Sequence, residues 1–356
     1  MLKTLKSVFM AILVNILGTS FIVSVLLYLR NAFHNIPIDV HRSIVKRSTL
    51  VPLWFARFVL NFATSPIGEE RKWTHKIKQT AWKGVWIVPN RNSLKEAEDA
   101  ALNSDLVILY AHGGGYCMGH AKMYMETFQL IINHLRSEHN IRASILSLEY
   151  SLSPEHVWPK ARDEAIESYQ YLTDTIGIPS SKIIFAGDSA GGNLVATMLL
   201  TIKSREHLSQ PAAAVLLSPW IDLTINQPSF ATYRNDILSR TQIAKYVPYY
   251  IPNYKNLDEA SRDSMIRNPL ISPLYGNFSG TCPIFLAYGE KELFRTSIDA
   301  FKVNLETHQC NLTTLKGDNM GHVWLVYSLM APSKNVYERD CKIFVDWMAS
   351  VVCKKE

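Results

Sequence analysis

The hexapeptide Gly187-Asp188-Ser189-Ala190-Gly191-Gly192 dictates a backbone path before it suggests any chemistry. It fits the G-x-S-x-G elbow, in which a serine occupies a strained turn between a buried strand and a helix. Residues 182–186, Lys-Ile-Ile-Phe-Ala, read as that strand, being apolar and β-branched. After the turn, Leu194, Met198, Leu199 and Ile202 recur at helical spacing up to Lys203. Small residues flank the serine because strand and helix meet there with little room for side chains. A chain built around such a junction is constrained to a strand–turn–helix unit, and so to an α/β architecture.

A second element lies upstream. His112-Gly113-Gly114-Gly115 directly follows the apolar run 106–111. A serine that attacks a carbonyl needs donors aimed at the oxyanion it creates, and the N–H groups of a glycine-rich loop supply them without steric obstruction. Gly114 and Gly115 are the expected donors, joined by the N–H of Ala190 after the nucleophile. Loss of one such donor typically costs ~3–4 kcal/mol of barrier stabilisation.

With these motifs, the stretch Tyr150-Ser151-Leu152-Ser153-Pro154-Glu155-His156 and the segment from Ser218 to Leu223, the chain resembles the hormone-sensitive-lipase-like serine esterases, a branch of the α/β-hydrolases. The 150–156 stretch is similar to the family's Y-R-L-A-P-E-H, with Ser151 where arginine is usual. The resemblance covers roughly residues 80 to 350. In plan it is similar to the membrane-anchored members, the arylacetamide deacetylases and the fungal steryl acetyl hydrolases.

Apolar strands alternating with helical patterns predict a mostly parallel, doubly wound sheet. Strands are expected at 106–111, 143–148, 182–186, 213–217, 284–288 and 312–315. Helices are expected at 124–137, 160–175, 193–203, 298–307 and 336–351. Two regions break the rhythm. Residues 31–80 read as helical and rich in aromatics, including Phe33, Trp54, Phe55, Phe58, Phe62 and Trp73; residues 224–280 carry Tyr233, Tyr246, Tyr249, Tyr250 and Tyr254. The resemblance implies that both form a cap over the site. The expected division is an anchor at 1–30, a cap segment at 31–80, and a hydrolase domain at 81–356 with a cap insertion at 224–280.

Residues 8–29 hold no charged side chain and are about long enough to cross the ~30 Å hydrocarbon core of a bilayer as a helix. Ending in Leu-Leu-Tyr-Leu-Arg, the run suits an uncleaved single-pass anchor better than a signal peptide. Basic residues flank both sides, so the positive-inside comparison leaves orientation open. The resemblance implies a catalytic domain in the endoplasmic-reticulum lumen. The net charge of +6 is spread along the chain, and no basic-aromatic cluster points to nucleic acid. The five cysteines, Cys117, Cys282, Cys310, Cys341 and Cys353, show no metal-ligand spacing, and each reads as a small hydrophobe. Neither a metal nor an organic cofactor is implied, and no feature dictates an oligomeric state.

A serine hydroxyl needs a base to take its proton, and the chain order in this fold is Ser, acid, His. His322, in Asn319-Met320-Gly321-His322, follows the last expected strand and resembles the family's histidine loop. The acid is less regular. Where the family often carries D-P-L-x-D, this chain has Gly289-Glu290-Lys291-Glu292-Leu293, which puts Lys291 at the usual aspartate. Glu292 is the expected acid and Glu290 its competitor. The resemblance implies an esterase for apolar esters such as acetylated sterols, lipids or xenobiotic acetates. A non-catalytic small-molecule receptor on the same fold, or an acyltransferase at the same site, is the alternative.

Overall fold

The structure, a computed structural model, describes Lys46, residues 51–233 and residues 236–353. The expected anchor at 8–29 lies outside the described residues. Among the described residues, no helix is long and apolar enough to cross a membrane.

Eight strands form one sheet: β1 (Thr74–Lys78), β2 (Lys83–Ile87), β3 (Leu106–Ala111), β4 (Ala143–Leu148), β5 (Ile183–Asp188), β6 (Ala213–Leu217), β7 (Ile284–Gly289) and β8 (Leu312–Gly317). Their spatial order is β1-β2-β4-β3-β5-β6-β7-β8. From β4 through β8 every pairing is parallel, whereas β1–β2 and β2–β4 are antiparallel. The helices are α1 (Leu53–Thr64), α2 (Leu94–Leu102), α3 (Met125–His139), α4 (Lys160–Gln170), α5 (Ala190–Lys203), α6 (Arg240–Tyr250), α7 (Glu259–Ile266), α8 (Arg295–Thr307) and α9 (Lys334–Cys353), with shorter turns between them.

Strand alternation divides the interior into two layers. Val107, Leu109 and Ala111 of β3 face the layer filled by α2, α4, α5 and α8; Leu106, Ile108 and Tyr110 face the layer of α3 and α9. Both faces are covered, so the central strands are continuous apolar runs. Each fully buried Leu, Ile or Phe contributes ~1.5–3 kcal/mol.

The six expected strands all occur, within one or two residues at their ends. The hairpin β1–β2 and helix α2 were not anticipated. In β1, Thr-His-Lys-Ile-Lys, only Ile77 is buried, so an edge strand showed almost no alternation. α2 did carry a signal, the S-x-x-E pattern of Ser93 and Glu96: Glu96 N donates to Ser93 Oγ at 3.2 Å, and Asn92 N donates to the Glu96 carboxylate at 3.1 Å. Because β1 pairs into the sheet, the segment 31–80 is not helical throughout, and the sheet domain begins by Thr74 instead of at 81.

Candidate active site

Ser189 sits where β5 turns into α5, with φ 51° and ψ −118°. That left-handed region is costly for any residue with a Cβ, and here the surroundings impose it. Ser189 N donates to Leu217 O at 3.0 Å, and Ser189 O accepts from Asn193 N at 3.0 Å and from Trp220 N at 2.9 Å. The glycines beyond it have a spatial reason: a Cβ on Gly191 would run into the carbonyl of Ala111. Thus α5 starts against the end of β3, where the glycine loop also begins.

Gly114 and Gly115 adopt φ 115° and 61°. A Cβ at Gly114 would strike Met118 O, and one at Gly115 would lie 2.6 Å from the Tyr246 ring of α6. Ala190 is the first residue of α5, so its N–H has no acceptor within the helix. The loop is fastened to the nucleophile strand by Asp188, whose carboxylate accepts from Gly113 N at 2.9 Å, Tyr110 Oη at 2.9 Å and Tyr124 Oη at 2.7 Å. Burial pushes this carboxyl up to about 6, against the pull of its three donors and of His322. His112 stacks on Tyr150 at 4.3 Å and donates from Nδ1 to Gly113 O at 2.7 Å. Burial lowers its ring to about 4, so it is neutral near pH 7 and holds the turn.

His322, on the loop after β8, brings Nε2 to 2.9 Å from Ser189 Oγ. The residues lie 133 positions apart in sequence, and both are buried. On the other side of the ring, Nδ1 stands 3.9 Å from Glu292 Oε2. That is an ion-pair distance, longer than a hydrogen bond, and neither His322 Nδ1 nor Glu292 Oε1 has another partner. Oε2 is instead held by Ser218 Oγ at 2.7 Å and Gly289 N at 3.0 Å. Glu292 is fully buried, and burial raises its carboxyl above the usual value against the pull of His322 and Ser218. For His322 burial acts to lower the pKa, but the carboxylates of Glu292, Asp236 and Asp188 outweigh it and leave the ring above its usual value. Glu290, the competitor, is half-exposed, and its carboxylate accepts from Asn319 N at 3.0 Å.

Three contributors had not been singled out. Asp236, buried in the segment between β6 and β7, accepts from Leu293 N at 2.6 Å and His322 N at 3.2 Å, so one carboxylate ties the Glu292 loop to the histidine loop. Ser218 donates to Glu292 and accepts from Val323 N at 3.2 Å. Asn193 accepts from Tyr116 Oη at 2.7 Å and donates to Trp220 O and Ile271 O, fixing α5 against the insertion. Asp236 carries no local signal, acting on residues 57 and 86 positions away, whereas Ser218 and Asn193 lie in or beside the sequence motifs, with nothing there to mark these particular bonds.

Other groups lie outside this cluster. No disulfide joins the five cysteines, and Cys353 is exposed and Cys310 half-buried instead of buried. His134 and His139 each meet Asp346 Oδ1 at 2.7 Å. Among the described residues these three are the group whose ligand atoms approach within 4.8 Å of one another, at the α3–α9 seam.

The family model for the alpha/beta hydrolase fold matches residues 108–326. An acetyl-hydrolase of Streptomyces hygroscopicus is 29% identical over 63% of this chain and 70% of its own length. An esterase of Acinetobacter venetianus is 27% identical, with coverages of 58% and 63%. A putative steryl acetyl hydrolase, mug81 of Schizosaccharomyces pombe, is 29% identical, with coverages of 64% and 59%. The chain thus spans 59 to 70% of the length of these relatives. Among solved structures, an esterase/lipase from an uncultured bacterium superposes with a TM-score of 0.72 at 24% identity, covering 89% of this chain and 98% of that one. A hormone-sensitive lipase from a metagenome library gives 0.72 at 23% identity, covering 89% and 99%. These two likenesses speak to the fold.

Proposed function

Because the chain belongs to the α/β-hydrolase fold family, we propose that it is a serine esterase in which Ser189 is the nucleophile, His322 the base and Glu292 the acid. The observation that carries this is the 2.9 Å contact between Ser189 Oγ and His322 Nε2, at a serine held with positive φ on the strand–helix turn. Ser189 attacks the ester carbonyl while its proton passes to His322 Nε2. The N–H groups of Gly114, Gly115 and Ala190 receive the oxyanion. His322 then gives the proton to the departing alcohol oxygen, leaving an acyl group on Ser189. Water, deprotonated by the same ring, releases the acid and restores the serine. Glu292 keeps the imidazole tautomer in place and stabilises its charged form.

The substrate class we propose is an ester of an apolar alcohol with a short acyl group. The names of relatives that cleave acetyl esters support the acyl part, and the buried aromatic pair Tyr116 and Tyr250, stacked at 3.9 Å beside the glycine loop, supports an apolar surround. Residues 8–29 remain our candidate for a membrane anchor, with the catalytic domain lumenal. The test is labelling with a fluorophosphonate probe. Wild type should label on Ser189 and Ser189→Ala should not; a folded chain that fails to label while a related esterase does would favour a receptor instead.

A further inference from the structure

Helix α1 carries apolar side chains on both faces, and among the described residues only its inner face is packed against the sheet domain. Ala56 and Thr64 are buried, and Arg57 reaches inward to Cys117 O at 2.6 Å, to Ser153 O, and to the Glu155 carboxylate at 2.8 Å. Thr64 Oγ1 contacts His120 Nε2 at 2.9 Å. These bonds clamp α1 onto the loop that runs on from Gly115, the glycine beside the nucleophile elbow. The opposite face turns Trp54, Phe55, Val59 and Phe62 outward, with 58%, 40%, 38% and 39% of their surface exposed. Trp54 packs edge-on to Phe55 and Phe58 stacks with Phe62, so the rings form a continuous band. At 100° per residue, positions 54, 55, 58, 59 and 62 share one face, and Asn61 is its only polar member. A soluble surface rarely carries such a band without a partner.

We propose that this face lies in the interfacial layer of a phospholipid bilayer, and that esters dissolved in that bilayer reach Ser189 past α1. Three features on the chain favour lipid over a protein partner. Trp and Phe are the side chains that settle at the boundary between headgroups and acyl chains. The link between the apolar run 8–29 and α1 carries Arg30, Arg42, Lys46 and Arg47 against a single acid, Asp39, which complements anionic headgroups. That run ends 23 residues before α1 begins, so a membrane-held run makes the α1 contact intramolecular, where a short aromatic band suffices. The proposal rests on the anchor reading for the tether and on the esterase reading for its consequence.

The experiment uses the full chain in phosphatidylcholine vesicles containing a minority of phosphatidylserine. The Trp54 component of the fluorescence is isolated by subtraction of Trp54→Phe. Quenching by lipids brominated in the acyl chain, together with shielding from aqueous iodide, is the expected result. Iodide quenching without bromolipid quenching would place the face in water and overturn the proposal. Shielding from both would mean that residues 1–50 or a second copy cover it, and would overturn it equally. This readout needs no catalysis, so its failure is distinct from failure of the esterase reading. The kinetic arm compares wild type with Trp54→Ser/Phe55→Ser/Phe62→Ser. Turnover of a bilayer-partitioned long-chain ester should fall by roughly tenfold or more, with p-nitrophenyl acetate hydrolysis unchanged as the control for folding. Equal turnover of the bilayer ester by both proteins would refute the route past α1.

Discussion

The two halves of the candidate site are built by different means. The nucleophile half is local: Ser189, Ala190 and the glycine loop lie at the ends of adjacent parallel strands, β5 and β3, and Asp188 bonds one to the other directly. The histidine half is assembled at a distance. His322 and Glu292 sit on separate loops, and their placement depends on Asp236 from the segment between β6 and β7 and on Ser218 at the end of β6. The first half has its hydrogen bonds closed, whereas the second keeps a 3.9 Å gap between Glu292 and His322. A site of this kind holds the reacting atom rigidly and leaves adjustment to the proton-handling side.

The comparison is broken most severely by removing either reacting group. Ser189→Ala and His322→Ala should each lower ester turnover by up to ~10⁶-fold, and retention of most activity by either would dismantle the assignment. Next is the acid. Glu292→Gln should cost about 10⁴-fold in kcat, equivalent to ~5.5 kcal/mol of barrier, whereas Glu290→Gln should change kcat little because that carboxylate serves the Asn319 amide. The reverse ranking would move the acid to Glu290. A smaller effect is expected for Asp236→Asn, in which an amide replaces one of two acceptors. Misplacing the loops by ~1 Å should lower kcat by about 10–100-fold with KM nearly unchanged. An unaltered kcat in the folded variant would show that the loops hold themselves.

The smallest expected change sharpens the electrostatics. In the proposed mechanism the base works as a neutral ring, so activity should be lost as pH falls through the pKa of His322. Because neighbouring carboxylates raise that pKa, the acid limb of kcat/KM should have its midpoint above the ordinary histidine value, 6.5. Glu292→Gln removes the largest upward influence and should move the residual activity's limb to lower pH. A limb that stays in place would mean that Asp236 and Asp188 set the ring's charge.

How much was legible in the sequence follows the same division. The elbow and the glycine loop are short contiguous patterns, because each has to satisfy a backbone conformation at a fixed place, and the sheet's central strands are apolar runs because both faces are covered. His322 was legible through its place after the last strand. The roles of Asp236 and Ser218 were not, since accepting a main-chain N–H from a distant loop needs only a carboxylate or hydroxyl in the right position, and the 218–223 segment marked Ser218 without its task. β1 escaped for a related reason: an edge strand with one buried side chain, Ile77, has no alternation to read.

Ser218 has φ 45°, and its single hydroxyl both donates a hydrogen bond to Glu292 and accepts one from the Val323 N–H. Evolution therefore has narrow latitude at this position. Alanine would silence two contacts at once, threonine would bring a branched Cβ into a backbone region hostile to it, and glycine would suit the backbone but leave the carboxylate unescorted. Among natural variants of this chain, drift at residue 218 should be far rarer than its lack of any direct chemical duty would suggest.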